Sequence, residues 1–358
     1  MGRTMDQPDL RPIYIDLPEA PPIPGLRFRP PAGRPDYAAM VAVYAACAEA
    51  DQLDETVTEA DMANFMENPV GSDPARDRLV AEVDGAVIAY SWMNHRLEAA
   101  GDRAEHPGGD EVHQHRGYVH PAWRGRGIGT AMVRQTWRRA AERPLGEAAA
   151  GGPWLQSFLL ESETAGHALL SSLGYSPVRY AFRMRRDLAS PIPDLPIPAG
   201  LEIRPAHPEH YRTIWEAERE AFQDHWGYSP WPEEAYHRFL EFPHYDPRLW
   251  QVAWEGDQVA GLVLNYINVE ENEWFGRQRG YTEDIAVRRP WRRRGVASAL
   301  IARSLAALKD RGMTEAVLGV DAENRTGALR VYERLGYTPL QRWTVFRRLL
   351  PDSAEIDA

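Results

Sequence analysis

Two glycine-rich segments carry the residue types needed to hold an anion. One reads Trp291-Arg292-Arg293-Arg294-Gly295-Val296-Ala297, and 168 positions earlier Trp123-Arg124-Gly125-Arg126-Gly127-Ile128-Gly129 repeats the design. A strand that enters such a turn and then a helix amino terminus presents unpaired N–H groups and the positive end of a helix dipole, so phosphate is the natural ligand. Gly295 and Ala297, like Gly127 and Gly129, remove side chains that would block close approach. Arg288, Arg289, Arg292, Arg293 and Arg294 concentrate positive charge beside the second loop. One such match is explained equally well by a solvated basic turn or an RNA-binding patch. Two matches at corresponding places in a repeat are a stronger signal.

Carboxylates lie close by. Glu283 and Asp284 stand just before Ile285-Ala286-Val287, and the two-residue period of a strand sends their side chains to opposite faces, so only one can meet an acceptor. Glu111, His113 and His115 also alternate along a strand and superficially resemble a metal cluster. No further ligand is evident, and polar residues on the solvent face of an antiparallel strand read the same way, so no metal is expected. There is no HExxH, GxxxxGK[ST] or GxSxG pattern, and the glycine loops lack the GxGxxG spacing of a dinucleotide fold.

A duplicated set of elements must position these residues. Gly25-Leu26-Arg27-Phe28-Arg29-Pro30 recurs as Gly200-Leu201-Glu202-Ile203-Arg204-Pro205, and Leu173-Gly174-Tyr175 recurs as Leu335-Gly336-Tyr337. Each half reads strand, helices, hairpin, strand, glycine loop, helix, strand, helix. Asp84-Gly85 and Gly256-Asp257 are the hairpin turns, between Leu79–Val83 and Val87–Trp92 and between Trp250–Trp254 and Val259–Tyr266. Ala297, Leu300, Ile301, Leu305 and Leu308 outline a helix that closes at Gly312, and Met132, Val133, Trp137 and Ala140 outline its counterpart. Ala316–Val320 reads as a buried strand, and Ala328, Val331, Tyr332 and Leu335 as a helix face ending at Gly336. The fold class is α+β, with a mixed twisted sheet flanked by helices in each half. The expected division is an arm over 1–24, a first domain over 25–186, a proline-rich linker over 187–199, a second domain over 200–350 and a tail over 351–358.

A length of 358 residues suits two domains, and 44% hydrophobic with 26% charged residues is globular composition, which excludes global disorder. The lone Cys47 rules out an intrachain disulfide or a paired-cysteine zinc site. A net charge of −11 opposes general adhesion to nucleic acid or anionic membranes, so neither is an expected partner. No apolar run reaches the roughly 18 to 20 residues of a membrane span, and the first residues, with Asp6, Pro8, Asp9 and Pro12, lack a signal-peptide stretch, so a cytoplasmic location is expected. Nothing in the sequence speaks to oligomeric state.

With both loops, the chain resembles the GCN5-related N-acetyltransferase (GNAT) superfamily, whose acetyl-coenzyme A loop is Arg/Gln-x-x-Gly-x-Gly/Ala; the tandem arrangement is similar to that of the mycothiol synthase type. The resemblance implies that acetyl-CoA sits on Arg292, Arg293, Arg294, Gly295, Val296 and Ala297, with its pantetheine arm along Ile285, Ala286 and Val287 and near Asn324. It implies the same role for Arg124, Gly125, Arg126, Gly127, Ile128 and Gly129. Tyr332 falls where the family places the proton donor for the departing thiolate; core packing is the other reading of that tyrosine. Glu283 is the family-implied base with Asp284 as substitute, an ordinary strand-edge carboxylate being the alternative, and the oxyanion donor is expected near Ala286 or Val287. Opposite Tyr332 and Asn324 the first half has Leu170 and Ser162, so it is expected to be catalytically degenerate.

The acceptor contacts are expected in the segment Ala221 to Tyr228, at Asp224, His225, Trp226 and Tyr228, where aromatic walls beside a carboxylate suit a cationic amine, burial of Phe222 and Trp226 in the core being the equal alternative. The leading expectation is transfer of the acetyl group of acetyl-CoA to a primary amine of a small molecule, by direct attack in a ternary complex. The alternatives are a non-catalytic acyl-CoA-binding sensor or assembly module, and acetylation of a protein amine.

Overall fold

The computed structural model describes residues 13–99, 109–143, 152–324 and 327–356. The first half runs β1 (Leu26–Arg29), α1 (Arg34–Asp51), α2 (Glu59–Glu67), β2 (Arg78–Val83), β3 (Ala86–Leu97), β4 (Glu111–Val119), α3 (Ile128–Ala141), β5 (Pro153–Leu160), α4 (Thr164–Ser172) and β6 (Ser176–Asp187). The second runs β7 (Glu202–Ile203), α5 (Tyr211–Ala221), α6 (Glu233–Leu240), β8 (Gln251–Glu255) and β9 (Gln258–Tyr266). It continues with α7 (Val269–Phe275), β10 (Arg279–Val287), α8 (Val296–Asp310), β11 (Glu315–Asp321), α9 (Ala328–Arg334), β12 (Thr338–Leu349) and a short α10 (Ser353–Ile356). No helix among the described residues is long and apolar enough to cross a membrane.

Local chemistry explains the element ends. Asp84 and Gly85 both take positive φ, 49° and 83°, the twist a two-residue hairpin needs. α8 stops where Gly312 turns to φ 83° and Met313 N–H reaches back to the Leu308 carbonyl at 3.1 Å. α9 ends in the same way at Gly336, with Tyr337 N–H on the Tyr332 carbonyl at 3.0 Å.

The strands form a single mixed sheet of twelve, in the order β1-β2-β3-β4-β5-β12-β6-β11-β10-β9-β8-β7. Its centre is an exchange. β6, the last strand of the first half, lies against β11, and β12, the last strand of the second half, lies against β5. The two exchanged strands pair antiparallel with each other from Thr338↔Arg185 to Arg347↔Ser176. The division expected near 187 therefore falls just after a strand that belongs, by its hydrogen bonds, to the sheet of the second half.

Helices α1 and α2 cover the same face of this sheet as α5 and α6, while α3, α4, α8 and α9 cover the other. The proline-rich stretch has no regular structure, yet Ile192, Leu195 and Ile197 pack on the core beneath α8. Leu17, Ala20 and Ile23 of the arm pack likewise on the first half, residues 1–12 lying outside the described set. The tail segment is docked where it is described: Ile356 of α10 is buried beside Trp137 and Phe346.

Phe346 sits on β12 but is buried in the core of the first half with Leu155, Leu159 and Trp137. Phe346→Ala is expected to lower stability by roughly 3–5 kcal/mol, as truncation of a buried phenylalanine does. Because the strand is shared, both halves should lose structure in one urea transition. Two separate transitions, only one of them shifted, would contradict the shared core.

Candidate active site

Parallel strands β10 and β11 stay together for only three pairs, Arg279↔Glu315, Gly280↔Ala316 and Tyr281↔Val317. Beyond Tyr281 each follows its other neighbour, β10 along β9 as far as Val287 and β11 along β6 as far as Asp321. The sheet splits into a wedge, and the β10 backbone facing it has no strand partner. A bulge sits at the split. The β9 register jumps between Glu283 and Ala286, so that Asp284 and Ile285 together oppose one residue, and Asp284 takes φ 48°.

The bulge interrupts the strict alternation expected for the two carboxylates and gives each different surroundings. Asp284 accepts a hydrogen bond from the Tyr245 hydroxyl at 2.6 Å and shares another with Glu218 of α5. Burial raises both carboxyls of that pair, and the Asp284 charge raises Glu218 further, so the pair retains a proton. Glu283 instead accepts from the Gly319 amide across the wedge. Burial, then the Asp284 charge, push the Glu283 carboxyl up to about 7, against the opposing pull of Arg183. A carboxylate that titrates near neutrality suits proton abstraction at physiological pH.

At the mouth of the wedge Gly295 caps α8 with φ 87°, and a Cβ there would meet nothing within 4 Å. Asn324 lies in the turn after β11, with its N–H on the Asp321 carbonyl at 3.1 Å. Tyr332 on α9 is 7% exposed, and its hydroxyl makes no hydrogen bond among the described residues. Burial first, and then the Glu283 charge, raise its pKa well above the ordinary tyrosine value, so it stays protonated.

The arginines do different work from the cluster expected. Arg292 donates to the Val287 carbonyl at 2.9 Å and pairs with Asp224, fastening the loop to β10 and to the end of α5. Arg289 also pairs with Asp224, and Arg288 with Glu220 at 2.7 Å. Arg124 repeats the clasp in the first half, 3.0 Å from the Val119 carbonyl and bidentate on Asp51 at 2.7 Å. Arg293 and Arg294 remain solvent-exposed, and the backbone amides of the loop are what it offers an anion.

The acceptor segment is likewise occupied. Asp224 is held down to about 2, chiefly by Arg289, and its carboxylate is spent on the loop. His225 stacks on Phe222 at 4.3 Å. Trp226 lies beneath Arg179 and Arg347, 5.0 and 4.4 Å from its ring centroid, and the Tyr228 carbonyl accepts from Ala99 N–H at 2.7 Å. This loop therefore docks on the first half. Residues that sequence reasoning missed line the wedge: Arg183 of β6, Gly319 of β11, and the Tyr266–Tyr281 pair stacked at 4.5 Å.

The first half has the same split, since β4 and β5 part after Gln114↔Gln156, but it is filled. β4 has no bulge against β3. Arg116 spans the gap, donating to the Phe158 carbonyl and to both oxygens of Glu163 at 2.8 and 2.9 Å. The cavity left, beside Leu170, is about 80 Å³, and a Cβ on Gly127 would lie 3.5 Å from Pro21 of the arm. Glu111, His113 and His115 are buried rather than on the solvent face expected, and no metal-holding group of three or more such residues occurs among the described residues. His115 bonds Tyr175 at 2.7 Å, and burial lowers its pKa to about 4. A separate cavity of about 550 Å³ between α1 and α7 touches neither Glu283 nor Tyr332.

Residues 211–337 match the Acetyltransferase (GNAT) family and residues 75–177 an Acetyltransferase (GNAT) domain. A protein named mycothiol acetyltransferase from Salinispora tropica is 31% identical over 229 residues, 63% of this chain and 69% of its own length. Its namesake from Thermobispora bispora is 27% identical over 312 residues, 87% and 94% of the two chains. Among solved structures, a GCN5-related N-acetyltransferase from Sphaerobacter thermophilus is similar with a TM-score of 0.63 at 28% identity, over 91% of this chain and 96% of that one. A tandem GNAT protein from the clavulanic acid biosynthesis pathway shares the fold, with a TM-score of 0.66 at 17% identity over 92% and 99% of the chains.

The raised Glu283 pKa has a sign for stability. Folding favours the protonated carboxyl, so the contribution is whole below the ordinary value of 4.5 and is lost as pH rises through about 7. Glu283→Gln, which cannot ionise, should gain on the wild type between pH 5 and pH 8 by on the order of 2 kcal/mol in urea unfolding. A difference that does not change with pH would contradict the assignment.

Proposed function

Because the chain belongs to the GNAT family of acetyltransferases and carries two tandem copies of its domain, we propose that its second half transfers the acetyl group of acetyl-CoA to a primary amine of a small molecule, by direct attack in a ternary complex. The observation that carries this reading is the open wedge between β10 and β11, with Glu283 on one strand and the unpartnered Tyr332 hydroxyl on the helix beyond it. The residues present fit acetyl-CoA. Free amides from Gly295 to Ala297 suit a pyrophosphate, and the unpaired edge of β10 at Ile285, Ala286 and Val287, with Asn324, suits the pantetheine arm. When bound, acetyl-CoA supplies an activated acyl thioester.

An alkyl amine with a pKa near 10.4 is mostly protonated at neutral pH. Glu283, half ionised near pH 7, takes that proton directly or through water. An amide of β10 near Ala286 or Val287 offers a hydrogen bond to the acyl carbonyl oxygen. Tyr332, kept protonated by burial, holds a proton for the leaving thiolate. Asp284 positions the strand through Tyr245 and Glu218 rather than acting as the base.

The filled first-half cleft, with Leu170 in place of a phenol, supports a structural role for that half. The relatives named mycothiol acetyltransferase support a small-molecule acceptor. The cytoplasmic location expected of the chain suits such a substrate.

Release of free thiol from acetyl-CoA, followed across a panel of small amines, tests the activity; a folded protein that binds acetyl-CoA and turns over none of them would defeat it. Gly295→Glu puts bulk and negative charge at the proposed pyrophosphate position, and calorimetry should record at least about a tenfold loss of acetyl-CoA affinity. Tyr332→Phe should lower kcat by about 10²- to 10⁴-fold while leaving that affinity nearly unchanged. Full activity in Tyr332→Phe would return the residue to core packing.

A further inference from the structure

Glu283 belongs to the second half, but the charged side chains that face it across the wedge come from the first. β6 carries Arg183 into the sheet directly opposite Gly319, the residue whose amide meets the Glu283 carboxylate. Gly319 has no side chain, and a Cβ there would stand 3.8 Å from Glu283 Oε2, so the Arg183 side of the strand pair lies open to the carboxylate. Arg183 is in turn fixed by Glu55, in the loop after α1, through a 2.7 Å ion pair. Tyr44 of α1 donates to the other Glu55 oxygen at 3.2 Å. The same loop is clamped to the second half by Asp54, which pairs with Arg279 at 2.6 Å and with Arg277.

We infer that Arg183 and Glu55, supplied by the first half, are positioning residues that tune the proton affinity of Glu283, so that the catalytic site of the second half is complete only within the exchanged sheet. This rests on the reading of Glu283 as the base. An isolated guanidinium beside Glu283 would hold it fully ionised and weakly basic; a guanidinium shared with Glu55 exerts only part of that pull. The other titratable groups facing Glu283 are Asp284 on its own strand, Tyr266 of β9, Tyr332 of α9 and Tyr337 before β12, while Tyr281 of β10 faces Arg183. The tyrosines stay neutral near pH 7 because burial raises each of them, which leaves Asp284, Glu55 and Arg183 as the charges that act.

The test uses the full chain labelled with ¹³C at glutamate carboxyl carbons, the Glu283 resonance being the one lost in Glu283→Gln. Arg183→Met should move its titration midpoint, and the acid limb of kcat/KM, up by about one pH unit, a roughly tenfold loss of rate on that limb. Glu55→Gln should move both down, because Arg183 then acts on Glu283 alone, and Arg183→Lys should restore most of the wild-type midpoint. Shifts in opposite directions from the two partners of one ion pair are not expected of a merely structural contact. A Glu283 resonance whose midpoint stays put in folded Arg183→Met and Glu55→Gln would overturn the inference. Midpoints that move as stated while the rate profile does not would uphold the tuning and instead defeat the proposed role of Glu283 as base.

Discussion

Everything in this molecule hangs on the ladder between β6 and β12. These strands end the two halves of the sequence, yet each is inserted beside a strand of the other half, and they meet at the middle of the sheet. A strand buried on both sides cannot leave without exposing two rows of backbone groups, so the exchange ties the halves into one hydrogen-bonded body. It also lets each half reach the other from above. The loop after α1 lands on Arg277 and Arg279, and the loop after α5 lands on Ala99 and Arg179.

Within that frame the wedge is a matter of pairing. β10 has one partner on each side only up to Tyr281, and from there β9 and β6 draw the two parallel strands apart. The bulge at Asp284 adds twist where the ladder ends, and its positive φ is anchored by Tyr245 and Glu218. Burying Glu218 and Asp284 as two charges would be costly, and a shared proton removes most of that cost. The strain and the buried acids are thus concentrated beside Glu283, which faces the opening.

Much of this was legible in the sequence, and the limits have physical causes. The repeat, the hairpins, the helix stops at Gly312 and Gly336 and the strand–glycine–helix loops depend on local rules, and the structure has them where spacing puts them. The place of Tyr332 follows from helical period. Strand partners are not local: nothing in Tyr180-Ala181-Phe182-Arg183 says that this run will cross into the other half, so Arg183 and Glu55 carried no sequence signal. The bulge was equally silent, because Glu283-Asp284-Ile285 reads as regular alternation until the β9 register is known. Arginine serves structure and ligands alike, so the sequence could not say which members of the cluster would enter ion pairs. The repeated distances from Arg124 to Val119 and from Arg292 to Val287 mark its structural use in both halves.

The comparison of the two wedges shows how a duplicated site is closed without changing its frame. Arg116 occupies the position that Asp284 holds in the other half, and this exchange of charge sign goes with the difference between the two wedges. A guanidinium at the split reaches across to Glu163 and the Phe158 carbonyl and satisfies most of its donors there, so the gap is bridged by protein and no bulge forms. A carboxylate at the same place cannot bond to strand carbonyls. It turns back toward α5, the strand bulges there, and the gap stays open for the preceding residue, Glu283, to face. His115, which stands where Glu283 stands, is left on a strand with no opening before it and bonds inward to Tyr175. The first half thus keeps the fold while an ion pair fills its wedge, where in the second half the parted strands stay open.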